Sequence, residues 1–408
     1  MQSLQSIHNS GIGKVDADRR LGVFVLMLAG LLFLPGCQVL SLETLRGEPA
    51  LIGQTKREAD IACRDCHRDV VDRYLSTAHY RTSFEASLQT VSGPIEDGRN
   101  ILRTRDPLTH FRIIQEDGQL FQVAEWMEKG RRKERKEPID LVVGSGRKGQ
   151  SYLFWKDGFL FQLPVSYLVE GDQWINSPGF EDGKVNFGRG IPPRCLECHA
   201  THFLLEFEDN QPRYNRDYMT GIGCGRCHGR ANRHVSYHRA NPNDRQGRFI
   251  VNPARLSRTR ELESCAVCHS GDREVKKSTF AYTPGDNLSE FLAPDTGPQP
   301  YPDVHGNQVA LLSHSACFQE SDVMTCTTCH DVHQTERDLA AMSEKCLACH
   351  TEEHSTLESR HLGRLQDNCI DCHMPLRESR VLTIHLPDRV YAPPYRDHRI
   401  AVYPETKR

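Results

Sequence analysis

The chain repeats a short unit in which two cysteines, separated by two residues, are followed directly by a histidine. Three of these units lie in Cys326–Pro375, which contains CTTCH, CLACH and CIDCH in turn. Two thiols about one helical turn apart can form thioether bonds with both vinyl groups of one porphyrin, and the adjacent histidine then lies under the iron as its proximal ligand. The spacing therefore predicts covalently attached c-type haem.

Seven such units occur in the 408 residues, and they use fourteen of the sixteen cysteines. The cysteines predicted to attach haem are Cys63, Cys66, Cys195, Cys198, Cys224, Cys227, Cys265, Cys268, Cys326, Cys329, Cys346, Cys349, Cys369 and Cys372. The histidines predicted to be proximal iron ligands are His67, His199, His228, His269, His330, His350 and His373. Zinc is the alternative, because it also binds cysteine and histidine. A histidine placed directly after the second cysteine in every unit favours haem.

The distances between the last three units indicate what forms the core there. Fifteen residues separate His330 from Cys346, and eighteen separate His350 from Cys369. Segments this short cannot bury a core of their own, and only 38% of the whole chain is hydrophobic. We therefore expect a mainly α fold with extensive loops, packed on haem, that carries one small antiparallel β insertion.

The β insertion is predicted in residues 100–190, which contain no haem unit. Extended apolar runs flank Asp117-Gly118 and again Asp157-Gly158, and Asp-Gly between such runs is a strong hairpin signal. All three tryptophans of the chain lie in this segment. The pattern indicates an antiparallel module with an aromatic core of its own.

The first 37 residues have the pattern of an export signal. Two arginines precede the apolar run Leu21 to Leu34, which is too short for a helix that spans a bilayer, since that needs about 20 residues. The sequence Leu34-Pro35-Gly36-Cys37 then resembles a bacterial lipobox, in which the cysteine is lipid-modified. Pro35 is not the usual residue there, so ordinary signal cleavage and an uncleaved anchor remain alternatives. The signal predicts a protein on the periplasmic or cell-surface side of a bacterial membrane, anchored through Cys37.

Several further motifs resemble the cytochrome c-554/c-prime group of multihaem cytochromes. They are STAHY, CHGRANRH, DHRI, and the series VGSG, GQSYL, QLPVSYL and WINSPGF followed by CLECHA. In that group the histidines of such motifs are distal iron ligands, and another ligand often precedes the last haem unit. The resemblance therefore implies distal ligands at His79, His234, His361 and His398. A surface position for His79, a propionate contact for His398 and competition from His385 remain alternatives.

Two histidines follow a proximal histidine at a distance of three residues, His202 after the second unit and His333 after the fifth. On a helix such a residue points from the same side as the proximal ligand, so it cannot reach the far face of its own haem. If it binds iron, it binds that of a neighbouring haem. We include His333 among the predicted ligands and leave open the roles of His202, His305, His314, His354 and His385.

The sequence thus divides into four segments. They are a lipoprotein-type signal peptide at 1–37, a linker with the first haem unit at 38–99, the β-rich insertion at 100–190, and a six-haem region at 191–408. Cys317 is left over from the haem units, and it is expected to be a buried free thiol or to pair with another chain.

Electron transfer is the favoured function. Twenty histidines less the seven proximal ones and His8 leave twelve, enough to give every iron a second axial ligand and no open position. The expected partners are other redox proteins, and a net charge of −3 gives no indication of nucleic-acid binding. An oxidoreductase with one open haem acting on a small nitrogen or sulfur compound is the alternative. A structural or assembly subunit is a third class.

The first testable prediction concerns haem stoichiometry. Mass spectrometry of the denatured holo-protein should show seven haems still attached, and fewer than six from a competent host would contradict the assignment. Replacing both Cys346 and Cys349 by alanine should remove one haem. The same change should destabilise the whole Cys326–His373 segment, because no apolar core is available there to compensate.

Overall fold

The computed structural model describes residues 56–294, 306–350, 368–386 and 389–403. The predictions for Cys37, His305, His354 and His361 fall outside these ranges. Within them, no helix combines the length and the apolar character needed to cross a membrane.

Most helices in the described ranges carry or border a haem unit. The helix around the first unit is kinked at His67 (φ −115°, ψ 40°) and ends at Tyr74. The α-helices are α1 (Lys56–Tyr74), α2 (Pro193–His199), α3 (Cys224–His228), α4 (Asn232–Ala240), α5 (Arg258–His269), α6 (Gln308–Ser313), α7 (Ala316–Gln319), α8 (Leu339–Leu347) and α9 (Cys369–His373). Short 3-10 turns lie at Pro253–Arg255, Thr279–Ala281, Leu288–Glu290 and Cys326–Thr328.

The fold is mixed α/β, so the expectation of a mainly α protein is wrong. Strand accounts for 28% and helix for 27% of the structure. The strands are β1 (Ser83–Glu85), β2 (Ile101–Arg103), β3 (His110–Glu116), β4 (Gln119–Glu128), β5 (Arg131–Pro138), β6 (Leu141–Val143), β7 (Gly149–Lys156), β8 (Phe159–Gln162), β9 (Val165–Leu168), β10 (Gln173–Asn176), β11 (Ala200–Glu208), β12 (Gln211–Thr220), β13 (Leu376–Glu378), β14 (Ile384–His385), β15 (Val390–Tyr391) and β16 (Pro394–Arg396). Strand structure therefore begins before residue 100 and continues after residue 190.

Two antiparallel sheets share one hydrophobic core in the β-rich region. A six-stranded sheet has the order β1-β6-β7-β9-β10, with β8 paired to β7, and a four-stranded sheet has the order β2-β3-β4-β5. Phe111 of the smaller sheet and Phe154 of the larger one are both fully buried in this core. The Trp174 ring lies 5.2 Å from that of Tyr167 and 5.8 Å from that of Tyr152. The predicted aromatic core is confirmed, and it consists of protein side chains alone.

Both predicted hairpins are confirmed. Asp117-Gly118 joins β3 to β4, and Asp157-Gly158 joins β7 to β8, with positive φ at all four residues. This is the conformation of a two-residue turn that matches the twist of paired strands. Asp209-Asn210 adopts it as well, with φ of 49° and 61°, and joins β11 to β12. That hairpin was not predicted, because the turn contains no glycine.

The β11–β12 hairpin positions two haem units. The hairpin begins at Ala200, directly after the second unit, and ends at Thr220, shortly before the third. The hydroxyl of Thr201 donates to the carbonyl of Gly221 (2.6 Å) and accepts from the backbone N–H of Gly223 (2.7 Å). Two units that are distant along the chain therefore lie side by side.

The same hairpin corrects the argument about His202. Helix α2 ends at His199, so His202 lies in a strand and the reasoning from one helical face does not apply to it. The fifth unit likewise begins in a 3-10 turn, Cys326–Thr328, rather than in an α-helix. His202 therefore lies on an extended strand, where side chains alternate, and His333 lies in a turn, so the helical constraint applies to neither.

The C-terminal segment returns to the β-rich region. Ile384 and Leu386 are buried against Leu168 and Ile175, which places β14 beside β10. Farther along, the buried hydroxyl of Ser315 accepts from the backbone N–H of Ile400 (2.8 Å) and donates to the carbonyl of His398 (3.3 Å). These contacts fix the position of the DHRI sequence.

Candidate haem-binding sites

Each Cys-x-x-Cys-His unit forms about one helical turn. In the fifth unit the backbone N–H of His330 donates to the carbonyl of Cys326 (2.9 Å), and in the sixth that of His350 donates to Cys346 (3.0 Å). The cysteines of all seven units are free thiols. The two thiols of each unit therefore have the one-turn spacing that attachment to a single porphyrin requires.

Four predicted proximal histidines each face a second histidine from elsewhere in the chain. The ring centres are separated by 6.0–6.3 Å. The pairs are His67 with His234, His228 with His333, His269 with His79, and His330 with His398. The second member of each pair is one of the distal ligands predicted from the sequence.

The separation fits two axial ligands of one iron. An imidazole nitrogen lies about 2.0–2.1 Å from a bound first-row metal ion, and its ring centre lies roughly 1.1 Å farther out, so two such rings on opposite sides of one metal have centres about 6 Å apart. All four pairs match this value. The donor set, two imidazoles and two thiols for each site, is also that of a c-type haem with two histidine ligands.

Hydrogen bonds orient several of these rings. The Nδ1 atoms of His228 and His234 lie 2.9 and 2.8 Å from the carbonyls of Val251 and Arg248, and the Nδ1 of His398 lies 3.1 Å from that of Arg396. A histidine whose Nδ1 is held by a carbonyl presents Nε2 to a metal. The backbone thus sets the tautomer in which these rings can bind iron.

Partial desolvation favours the neutral form of five of the eight paired rings. It lowers the pKa of His67, His228, His330 and His398 below the usual histidine value. The pKa of His79 is lowered to about 4, chiefly by burial and then by the nearby His269. A lowered pKa means that the uncharged ring predominates at pH 7, and the uncharged imidazole is the form that binds a metal. These sites are therefore prepared to accept iron near neutral pH.

The pairs link different haem units to one another. His234 follows the proximal histidine of the third unit but faces that of the first, and His333 follows the fifth unit but faces the third. His79 follows the first unit and faces the fourth. An iron bound in any of these sites would therefore join two separate haem-carrying segments.

The other three proximal histidines have different surroundings. The Nδ1 of His199 lies 2.6 Å from the Thr82 hydroxyl, and that of His373 lies 2.9 Å from the carbonyl of Ala401. His350 follows α8 and is exposed. His361, which was expected to be the ligand before the last unit, lies outside the described ranges.

The histidines left open by the sequence are spread over the fold. The His202 ring lies 6.0 Å from that of Phe280, His314 is bound through Nδ1 to the carbonyl of Ala310 (2.8 Å), and His385 is exposed in β14. Cys317 lies in α7 and is half-buried rather than buried. Across the residues that the structure describes, no three His, Cys, Asp or Glu side chains converge on one point, as a structural zinc site would require.

A buried carboxylate connects the fourth and fifth units and was not found from the sequence. Glu261 lies in α5, one turn before Cys265, and is only 8% exposed. It accepts hydrogen bonds from the hydroxyls of Thr325 (2.8 Å) and Thr327, next to and within the fifth unit. No spacing in the sequence connects these residues, because the contact is made only in the folded chain.

Comparison with known proteins adds a family match. Residues 181–229 match the family described as cytochrome c554 and c-prime, whose members are multihaem c-type cytochromes. This stretch includes the second and third haem units, and the resemblance expected from the sequence is confirmed for it. No curated protein matches the sequence.

Among solved structures, the undecaheme cytochrome from the S-layer of Carboxydothermus ferrireducens is similar to 58% of this chain. The sequence identity is 16%, the TM-score is 0.32, and the match covers 44% of that protein. The chain therefore spans less than half the length of this relative.

The second prediction concerns Glu261. Glu261→Ala should destabilise the protein by about 1–3 kcal/mol, because it leaves two threonine hydroxyls of a buried cluster without their acceptor. Glu261→Gln should lose less, since its amide oxygen still accepts. Denaturant unfolding of the holo-protein measures both changes.

Glu263→Ala is the matched control on the same helix. Glu263 pairs with Arg260 at the next turn, and such helix-surface pairs contribute only about 0.3–0.5 kcal/mol. Equal losses of unfolding free energy in Glu261→Ala and Glu263→Ala would show that the hydrogen bonds from Glu261 to the fifth unit contribute no more to stability than a helix-surface ion pair.

Proposed function

We propose that the protein transfers electrons through seven c-type haems, each attached by one Cys-x-x-Cys-His unit, and that most of the irons have two histidine ligands. The four histidine pairs at 6.0–6.3 Å are the observation that carries this proposal. The family match over residues 181–229 supports the same class of protein.

The protein side chains define what the sites can do. Haem iron supplies a one-electron couple when it is bound. Two histidines that hold one iron from opposite sides leave no coordination position for a substrate. Backbone carbonyls already fix the orientation of several of these rings. The same two ligands can therefore hold the iron in its oxidised and in its reduced state. Such an arrangement favours electron transfer over chemistry on a bound molecule.

We further propose that the protein is exported and anchored to the membrane through lipid on Cys37, and that it exchanges electrons with other redox proteins. The apolar run before Cys37 and the lipobox-like sequence support this location. Covalent haem attachment outside the cytoplasm is consistent with it. The β-rich region, with its own core, is suited to docking a partner.

The third prediction tests transfer against catalysis. Carbon monoxide should leave most of the optical spectrum of the reduced protein unchanged, because most of the irons have two histidine ligands, and the protein should exchange electrons rapidly with a second cytochrome. It should not turn over nitrite, hydroxylamine or tetrathionate. A carbon monoxide complex together with turnover of one of these compounds would favour the oxidoreductase with an open haem.

The fourth prediction concerns His398, whose ring faces that of His330 at 6.3 Å. His398→Ala should convert one low-spin haem to high spin and create one carbon monoxide site, because the iron held by the fifth unit loses an axial ligand. The spectra of the remaining haems should not change. Electronic absorption and paramagnetic resonance spectra measure the result.

His385→Ala is the control, since His385 is exposed in β14. It should leave every haem low-spin. If His398→Ala keeps all its haems low-spin and shifts only a reduction potential, His398 contacts a propionate instead of iron. A high-spin signal from His385→Ala alone would move the assignment to His385.

A further inference from the structure

The second, third and fourth haem units meet at one buried point. Arg226, between the cysteines of the third unit, donates from Nη2 to the carbonyl of Glu197, between those of the second (3.1 Å). Arg194, directly before the second unit, donates from Nη2 to the carbonyl of Val267 in the fourth (2.9 Å). The thiol of Cys268, in the fourth unit, lies 3.9 Å from the same carbonyl of Glu197. Three predicted haem attachments therefore share one location.

We call Arg194, Glu197 and Arg226 the junction cluster. Arg194 and Glu197 are 7% and 1% exposed, and Arg226 is half-buried. Two guanidinium groups and one carboxylate leave a formal charge of +1. The closest ion pair, Arg194 Nη1 to Glu197 Oε2, is 3.7 Å long, which is beyond hydrogen-bond distance. The charges in the cluster are therefore only partly neutralised.

The hydrogen bonds of the cluster lead to one loop. Glu197 Oε1 accepts from the Ser278 hydroxyl (2.8 Å) and from the backbone N–H of Thr279 (3.1 Å), and Arg226 Nη1 donates to the carbonyl of Thr279 (2.6 Å). Among the residues that the structure describes, Arg194 Nε and Nη1, Glu197 Oε2 and Arg226 Nε have no hydrogen-bond partner. These polar atoms therefore make no hydrogen bond within the described residues, in an interior where charge interactions are strong.

Two side chains of opposite charge, Arg189 and Asp272, act on the Cys195 thiol of the second unit. The excess positive charge of the junction cluster remains. A ferric haem carries one more positive charge than a ferrous haem, so a nearby positive charge repels the oxidised form more, and burial strengthens the effect.

We propose that the junction cluster raises the reduction potentials of the haems held by the second, third and fourth units, which makes this point the place where electrons collect within the protein. The proposal rests on the proposed function, because it needs haem at these units. The change is a one-electron reduction of iron by a redox partner, and no bond forms or breaks in the cluster. Arg194, Glu197 and Arg226 act on the potentials without binding iron.

The experiment uses two substitutions with opposite charge effects in the full-length holo-protein. Arg226→Gln should make reduction of the junction haems less favourable by up to about tenfold in equilibrium constant, which is about 59 mV for a one-electron couple. Glu197→Gln should shift the same part of the curve in the opposite direction. The titration curve of the double variant should lie between those of the two single variants. The curve of Arg226→Lys, which keeps the positive charge, should stay near that of the wild type. Spectroelectrochemical titration measures all four.

Opposite shifts separate electrostatics from structural damage. A purely structural role predicts that both single variants weaken the fold and move the curve in the same direction, and that result would overturn the proposal. Unchanged curves in proteins that retain all their haems would overturn it as well. Should Arg226→Gln lose a haem, Arg194→Gln carries the same prediction, because it removes the same positive charge and only one of its three nitrogens, Nη2, makes a hydrogen bond within the described residues.

Arg99→Gln is the control for removal of an arginine. Arg99 is exposed in the β-rich region and pairs with Asp172, so its loss should leave the titration curve unchanged. Mass spectrometry of each variant distinguishes the two proposals. A wild-type protein without covalent haem contradicts the proposed function, whereas fully loaded variants without opposite shifts contradict only the role of the junction cluster.

Discussion

The pairing of histidines across different haem units is the constraint on which the rest of the structure depends. For both histidines of a pair to bind one iron, the two segments that carry them must be positioned to an accuracy of about one ångström, because the length of a metal–nitrogen bond varies little. His67 with His234 and His228 with His333 connect the first, third and fifth units in series. With iron bound between the rings as proposed, these pairs would hold the segments together without a continuous apolar core, which would allow the loops between the units to be irregular.

The β-rich region supplies what the haem units lack. Its two sheets bury Phe111, Tyr152 and Phe154 completely, so this part of the chain has a conventional core. The region also reaches the haem units directly, through the hydroxyl of Thr82 at His199 and the hairpin that follows that histidine. A rigid body of this kind can hold helix α2 in place.

The sequence was sufficient for the class of cofactor, because the chemistry of c-type haem fixes the spacing of cysteine and histidine, and the family match over residues 181–229 supports that class. It was also sufficient for hairpins with Asp-Gly turns, such as Asp157-Gly158, where positive φ selects the residues. It failed for the overall fold class, since the strands at 83–85 and 200–220 lack that signal. Contacts such as Glu261 with Thr325 and Arg226 with Glu197 could not be predicted, because they join residues whose proximity is decided by tertiary packing.

The position of His398 has a consequence for assembly. This residue follows all seven haem units along the chain, yet its ring faces the histidine of the fifth. Chains are synthesised from the N-terminal side, so the pair at the fifth unit can form only after all seven units have been made. A chain shortened before the DHRI segment would keep every Cys-x-x-Cys-His unit and would still lack the histidine that faces His330.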